Sequence, residues 1–328
     1  MNRKCLTMGW WFFLVLPSCT QKTGQSQGQP GQPASTTSEN GSAIDLNSLT
    51  SGGLTTPGSM VYYGFGTDLQ ALPIQLQGYL LPRAVAPEAE ACRPRPGAIA
   101  CSIAIIAVPG RLGLNEAFKK SLSAFSLAGF SVLAVDLYNQ VPASLAEGKT
   151  LETELGQKGL PDILANLSQA RTFVTQRLQP SLIILVGWDT GGKWAATAAL
   201  TTPGSFAAVV SYASSLSVLK EYKPGDFSVP ILGFFAAQDA ETPAADMITI
   251  GAQYQKQHAP VTFQLIQNVQ GNFMDPASST YQPSAAAGVL QTTMTFLRDS
   301  GRASLPEDTA PHSTPSTQTN GDTSGAPF

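Results

Sequence analysis

Histidine is scarce in this sequence: its 328 residues hold two, His258 and His312. That scarcity matters because imidazole is the usual general base near neutral pH, so hydrolytic machinery must use one of these two or do without. Charge is scarce as well. Charged residues make up 12% of the chain and the net charge is −3, which leaves no basic field to hold nucleic acid. No apolar run approaches the roughly 20 residues of a membrane-spanning helix. Cysteine is limited to Cys5, Cys19, Cys92 and Cys101, with no CxxC spacing to suggest a reactive pair. There is no internal repeat, and neither a metal nor an organic cofactor is expected.

What is present begins with a targeting segment. The basic stretch MNRK, the short apolar run WWFFLVL and the sequence LPSC, Leu16 to Cys19, follow one another at the amino terminus. This order resembles the lipobox of bacterial lipoproteins. The resemblance implies that residues 1–18 are a signal peptide and that Cys19 becomes lipid-modified. Thr20 rather than Asp follows, which implies outer-membrane sorting, so the chain is expected on the outer membrane facing the periplasm. Cys5 leaves with the signal. Outside the cytoplasm, Cys92 and Cys101 are expected to close a disulfide.

Residues 19–57 are rich in Gln, Gly, Ser, Thr and Pro and read as a flexible tether, and residues 301–328 read as a disordered tail of similar composition. The hydrophobic content of 43% then serves a single domain at 58–300. Period-two alternation at 74–81 predicts a half-exposed antiparallel edge strand. Continuous apolar runs at 102–108, 131–138, 181–188, 207–214, 229–237 and 261–267 predict parallel strands covered on both faces. Helices are expected at 115–127, 160–178, 192–200, 244–257 and 285–298, the first capped by Asn115. Strand and helix in alternation give the α/β class, a doubly wound, mostly parallel sheet with ligands at the carboxyl ends of its strands.

One of those strand ends reads GWDTGG, residues 187–192. The spacing is that of a nucleophile elbow, a sharp turn between a buried strand and a helix, with Asp189 at the centre. The segments GYLLP, VPGRLGLNEAF, SLAGFSVLAVDLY, GWDTGG, AVVSYAS, PILGFFAAQDAETP and NVQGNF occur in that order between residues 74 and 298. Together they resemble the dienelactone hydrolase family of α/β-hydrolases, whose ancestral activity is ester or lactone hydrolysis with an oxyanion hole of backbone N–H groups.

Mapped by that resemblance, the triad is incomplete. Asp189 stands where the family has Cys, Asp239 stands on the acid, and Gly271 stands where the family has His. Pro109 and Gly110 replace a His-Glu pair, and the arginine that often follows Asp-Leu-Tyr is absent. His258 precedes a seven-residue strand, which puts it roughly 20 Å from the strand tops, and His312 lies in the tail.

An Asp nucleophile attacks alkyl carbon without losing a proton, but its ester must be cleared by base-activated water, and lacking the base costs roughly 10²- to 10⁴-fold. Asp239, Asp275 and Glu241 are candidate substitutes, and if Asp239 approaches Asp189 as the fold implies, one of the two carboxyl groups has a raised pKa. The simpler structural readings are that backbone N–H groups at the helix start satisfy Asp189 and that Asp239 orders its own turn.

Thr190, Gly110, Arg111 and Leu112 are candidates for the oxyanion hole and pocket. Tyr138, Trp188 and Phe273 are candidates for the pocket wall, with Arg111, Tyr138 and Phe273 at its mouth. Trp194 is expected in the core or pocket wall and Lys193 in solvent. The functional expectation is an envelope-anchored binding or assembly module with little or no turnover, holding a small molecule or a protein at the elbow. The alternative is an active hydrolase of esters, lactones or alkyl substrates that uses Asp189.

Overall fold

A computed structural model describes residues 58–68, 70–84 and 102–303. The signal peptide, Cys19, the tether, the Cys92–Cys101 pair and the tail beyond residue 303 lie outside the described residues.

The strands are β1 (Ser59–Thr67), β2 (Pro73–Leu81), β3 (Ile103–Val108), β4 (Ser131–Val135), β5 (Leu182–Trp188), β6 (Ala208–Tyr212), β7 (Ile231–Ala236) and β8 (Val261–Ile266). They form one sheet in the order β1-β2-β4-β3-β5-β6-β7-β8. The β1–β2 and β2–β4 pairs are antiparallel, and all later pairs are parallel. Parallel neighbours need crossover helices, and those helices bury both sheet faces. Accordingly every residue of β3, β6 and β7 is buried.

The helices are α1 (Glu116–Ser121), α2 (Ser123–Leu127), α3 (Leu145–Lys158), α4 (Leu160–Leu178), α5 (Thr190–Thr201), α6 (Ala244–Lys256) and α7 (Pro283–Ala303). Alternate strand residues point to opposite faces, so two cores result. Ile106 and Leu185 pack with Leu155, Leu167 and Ala195 of α3, α4 and α5. Ile105 and Val186 pack with Phe118, Phe125 and Leu297 of α1, α2 and α7. Burying each such aliphatic side chain stabilises the fold by about 1.5–3 kcal/mol.

Four features differ from the sequence expectation. β1 lies outside β2, so the strand at 74–81 is not the sheet edge. The helix expected at 115–127 is broken at Leu122, although Asn115 does cap it by accepting from Phe118 N at 2.9 Å. β4 ends at Val135 because Asp136 Oδ1 accepts from Tyr138 N and Asn139 N, turning the chain out of the ladder. The fourth feature is α3, which the apolar pattern did not reveal, since only Gly148, Leu151 and Leu155 are buried along it. Its start is marked instead by a capping box: Ser144 Oγ accepts from Glu147 N, and Glu147 Oε2 accepts from Ala143 N.

Among the described residues no helix is long and apolar enough to cross a membrane.

Candidate active site at the strand tops

The turn from β5 into α5 places Asp189 at φ 49° and ψ −129°. A residue with a Cβ pays of order 1–3 kcal/mol for such a backbone, so the surrounding packing must impose it. The packing is tight: a Cβ at Gly191 would stand 2.2 Å from the Val108 carbonyl oxygen. Gly110 passes just as near on the other side, where a Cβ would stand 2.6 Å from that of Asp189. The elbow geometry read from GWDTGG is therefore present.

The Asp189 carboxylate does not bond to the first turn of α5. It turns to the loop after β3 instead. Its Oδ2 accepts from the Arg111 backbone N–H at 3.3 Å, and its Oδ1 accepts from Arg111 Nη1 at 3.1 Å. This corrects the expectation that the helix start satisfies it. The physical reason is that a guanidinium offers full charge and a directed donor, which outweighs the partial charge of helix N–H groups.

Arg111 reaches further. Its Nε donates to Glu152 Oε2 at 2.5 Å, and its Nη1 donates to Glu241 Oε2 at 2.6 Å. Glu152 Oε1 accepts from Thr190 Oγ1 at 2.8 Å, and Glu241 Oε1 accepts from Lys149 Nζ at 2.5 Å. Three carboxylates and two cations thus bind the β3 loop, α3, the elbow and the β7 loop together. With only 17% of the Arg111 side chain and 13% of that of Asp189 exposed, the network covers the carboxylate at the elbow.

Burial pushes the Asp189 carboxyl up to about 6, against the pull of Arg111, and the negative fields of Glu152 and Glu241 add to the rise. Burial alone would lower the Arg111 guanidinium, yet Asp189, Glu152 and Glu241 together hold it above its usual range. The carboxylates that perturb Asp189 are therefore Glu152 and Glu241, not Asp239 as the sequence suggested.

Asp239 faces its own turn. Its Oδ1 accepts from Glu241 N at 2.8 Å and Thr242 N at 3.1 Å, which is the structural reading offered above. Gly271 is its neighbour: a Cβ there would stand 2.9 Å from the Asp239 carboxyl carbon. The residue mapped onto the missing His is thus directly against the residue mapped onto the acid. Asp275 is buried, its Oδ1 accepts from Ala277 N at 2.9 Å, and burial raises its pKa. His258 is an exposed residue between α6 and β8, at the foot of the sheet.

The expected mouth residues need correction. Phe273 is fully buried in the α7-side core, because the chain after Gly271 folds back onto the sheet. Tyr138 is buried too and lines a cavity of about 60 Å³ shared with Asp136, Leu155, Lys158 and Asn166. Burial raises its phenol pKa, and the nearby charges of Glu152 and Asp189 reinforce this. Trp188 belongs to the core, with its ring 4.9 Å from Phe118 and 5.0 Å from Tyr212. Leu112 is half-buried, and its carbonyl accepts from Asn115 Nδ2. Trp194 is buried, and Lys193, rather than extending into solvent, places Nζ 4.7 Å from the Trp194 ring centroid.

Lys149 and Glu152, both on α3, are the site residues that sequence reasoning missed. Only the capping box at Ser144 and Glu147 announced their helix.

Comparison with known proteins completes the picture. A search of curated proteins finds no match. Among solved structures, one described as the dienelactone hydrolase of Anabaena variabilis aligns with 17% identity and a TM-score of 0.53, covering 75% of this chain and 99% of that one. A dienelactone hydrolase-like promiscuous phosphotriesterase from metagenomic libraries aligns with 17% identity and a TM-score of 0.55, covering 74% of this chain and 98% of that one. Likenesses at this identity establish the α/β-hydrolase fold. The sequence itself carries the closer relationship: with the model of the family matching residues 95–301, the chain belongs to the dienelactone hydrolase family.

Proposed function

We propose that this dienelactone-hydrolase-family protein is a binding or assembly module with little or no turnover, held at the outer membrane by lipid on Cys19. The observation that carries this reading is the position of the Asp189 carboxylate on Arg111. The backbone N–H of Arg111, a candidate donor to a developing oxyanion, is already taken by Asp189 Oδ2. An oxyanion hole stabilises a transition state only if its donors are free to meet the charge that develops there. The side chain that would attack is itself held by a guanidinium, and Gly271 offers no base for the second half of a reaction. A small molecule or protein would be recognised at the elbow by displacing part of the charge network.

The test is hydrolysis of small aryl esters and epoxides by the purified chain and by Asp189→Asn. Equal, background-level rates are expected, together with thermal stabilisation by a bound ligand. Turnover more than 100-fold above Asp189→Asn, or a covalent adduct on Asp189 in the mass spectrum, would establish the active hydrolase instead. A companion variant, Asp189→Cys with Gly271→His, asks whether only the triad was lost. Recovered esterase activity means that the surrounding pocket is still competent.

A further inference from the structure

We infer that the outer face of the β1–β2 hairpin is a membrane-docking surface, one that lays the domain against the bilayer to which Cys19 is proposed to anchor it. The inference rests on that anchor and adds an orientation to it.

Met60, Tyr62, Phe65 and Leu72 are 48%, 65%, 73% and 60% exposed, and all four belong to this one hairpin or its turn. Other exposed large apolar side chains, such as Val141 and Ile248, lie on separate elements. Register gathers three of the four. Met60 pairs with Tyr79, Tyr62 with Gln77 and Phe65 with Gln75, and directly opposed residues in a ladder point to the same side. Tyr79, Gln77 and Gln75 alternate along β2, so Met60, Tyr62 and Phe65 share one face. The register shift between Tyr62 and Gly64 inserts Tyr63 and keeps Phe65 in phase. Tyr63 itself goes to the opposite face, where α4 covers it through Asn166 and Phe173.

The occupant follows from three observations. First, Gln169 of α4 accepts from Phe65 N at 2.8 Å and donates to Phe65 O at 2.6 Å. Both backbone groups are used, so another strand cannot add to the sheet edge there, and contact must be made through side chains. Second, a lysine borders the patch. Lys119 Nζ lies 5.7 Å from the ring centroid of Tyr79, the partner of Met60. Lys119 is paired to Glu116, and the Asp68 carboxylate is occupied by Gln70 N and Leu72 N. An aromatic and apolar patch with a lysine at its border matches the interfacial zone of a bilayer. Third, β1 begins directly after residues 20–57, which connect it to Cys19. Fully extended, that connection spans about 130 Å, so the anchor supplies proximity and the patch must supply orientation.

The test is hydroxyl-radical footprinting of the full chain anchored on vesicles of phosphatidylethanolamine and phosphatidylglycerol, compared with full-chain Cys19→Ser in buffer. Labelling of Met60, Tyr62, Phe65 and Leu72 is expected to fall about fivefold on the vesicles, with Ile248 unchanged as the internal reference. Equal labelling in the two states overturns the proposal. So does protection in buffer that grows with protein concentration, which would make the patch a contact between two copies. The intact mass of the vesicle-bound chain separates these from a failed premise: an unacylated Cys19 removes the anchor and the proposal with it.

Discussion

Two stretches of the sheet's upper rim meet opposite fates in this protein. On the elbow side, between β3 and β5, Asp189, with 13% of its side chain exposed, is bound twice by Arg111, which is bound in turn by Glu152 and Glu241. On the far side, at the ends of β7 and β8, Asp239 bonds within its own turn and Gly271 presents no side chain. The same residue type does different work because its surroundings differ. Asp189 lies within reach of a guanidinium that carries full charge, whereas Asp239 is met by two backbone N–H groups of its own turn.

The contrast is most directly broken at Arg111. Arg111→Met leaves three carboxylates facing one another around a mostly buried site, and urea denaturation is expected to show a loss of about 3 kcal/mol. Only Lys149 would remain to serve Glu241, and nothing would replace the guanidinium at Asp189.

Next in size is a pH effect. Because the Asp189 carboxyl is pushed from 3.8 to about 6, the folded state binds a proton that the unfolded chain has released. Its ionisation therefore costs stability above pH 6, and that stability returns as pH falls towards 4. The amount is up to roughly 3 kcal/mol. Asp136 and Asp275, raised by burial, slope the same way. The signature is thus the difference: melting temperatures of the wild-type chain should climb more steeply than those of Asp189→Asn between pH 7 and 4.

Asp239→Ala removes two turn bonds and should cost about 1 kcal/mol in chemical denaturation. The elbow's pH dependence should survive it, which separates the two sides experimentally. Smallest is Lys149→Ala, whose bridge to Glu241 joins side chains that are each about half exposed. A loss near 0.5 kcal/mol is expected, vanishing in high salt.

The central sheet was legible because β3, β5, β6 and β7 are buried on both faces and so read as unbroken apolar runs. β1 was not, since one of its faces is exposed while Tyr63 on the other is buried. α4 was read from its apolar periodicity at its observed bounds, Leu160–Leu178. α3 escaped because its buried face is small, with a glycine at 148, and its polar residues face the site. The elbow turn was legible from glycine spacing, and Arg111 and Glu241 were legible as site candidates, but their contacts with Glu152 and with Asp189 were not. Arg111, Glu152 and Glu241 are remote in sequence from it and from one another, and nothing local to each announces a shared contact. Phe273 was misplaced for a related reason: position beside a motif residue does not tell which way a side chain turns.

Arg111 would set the tempo of binding at the proposed site. Arg111 ties together three segments: the loop after β3, helix α3 and the loop after β7. A ligand at the proposed elbow site would have to displace these contacts to reach Asp189. Association should consequently fall below the 10⁵–10⁷ M⁻¹s⁻¹ typical of preformed sites, on the order of 10⁴ M⁻¹s⁻¹ or less. Its observed rate should level off with ligand concentration at the rate of opening. The clasp would then act as a timer, giving a bound partner a long residence once the segments close behind it.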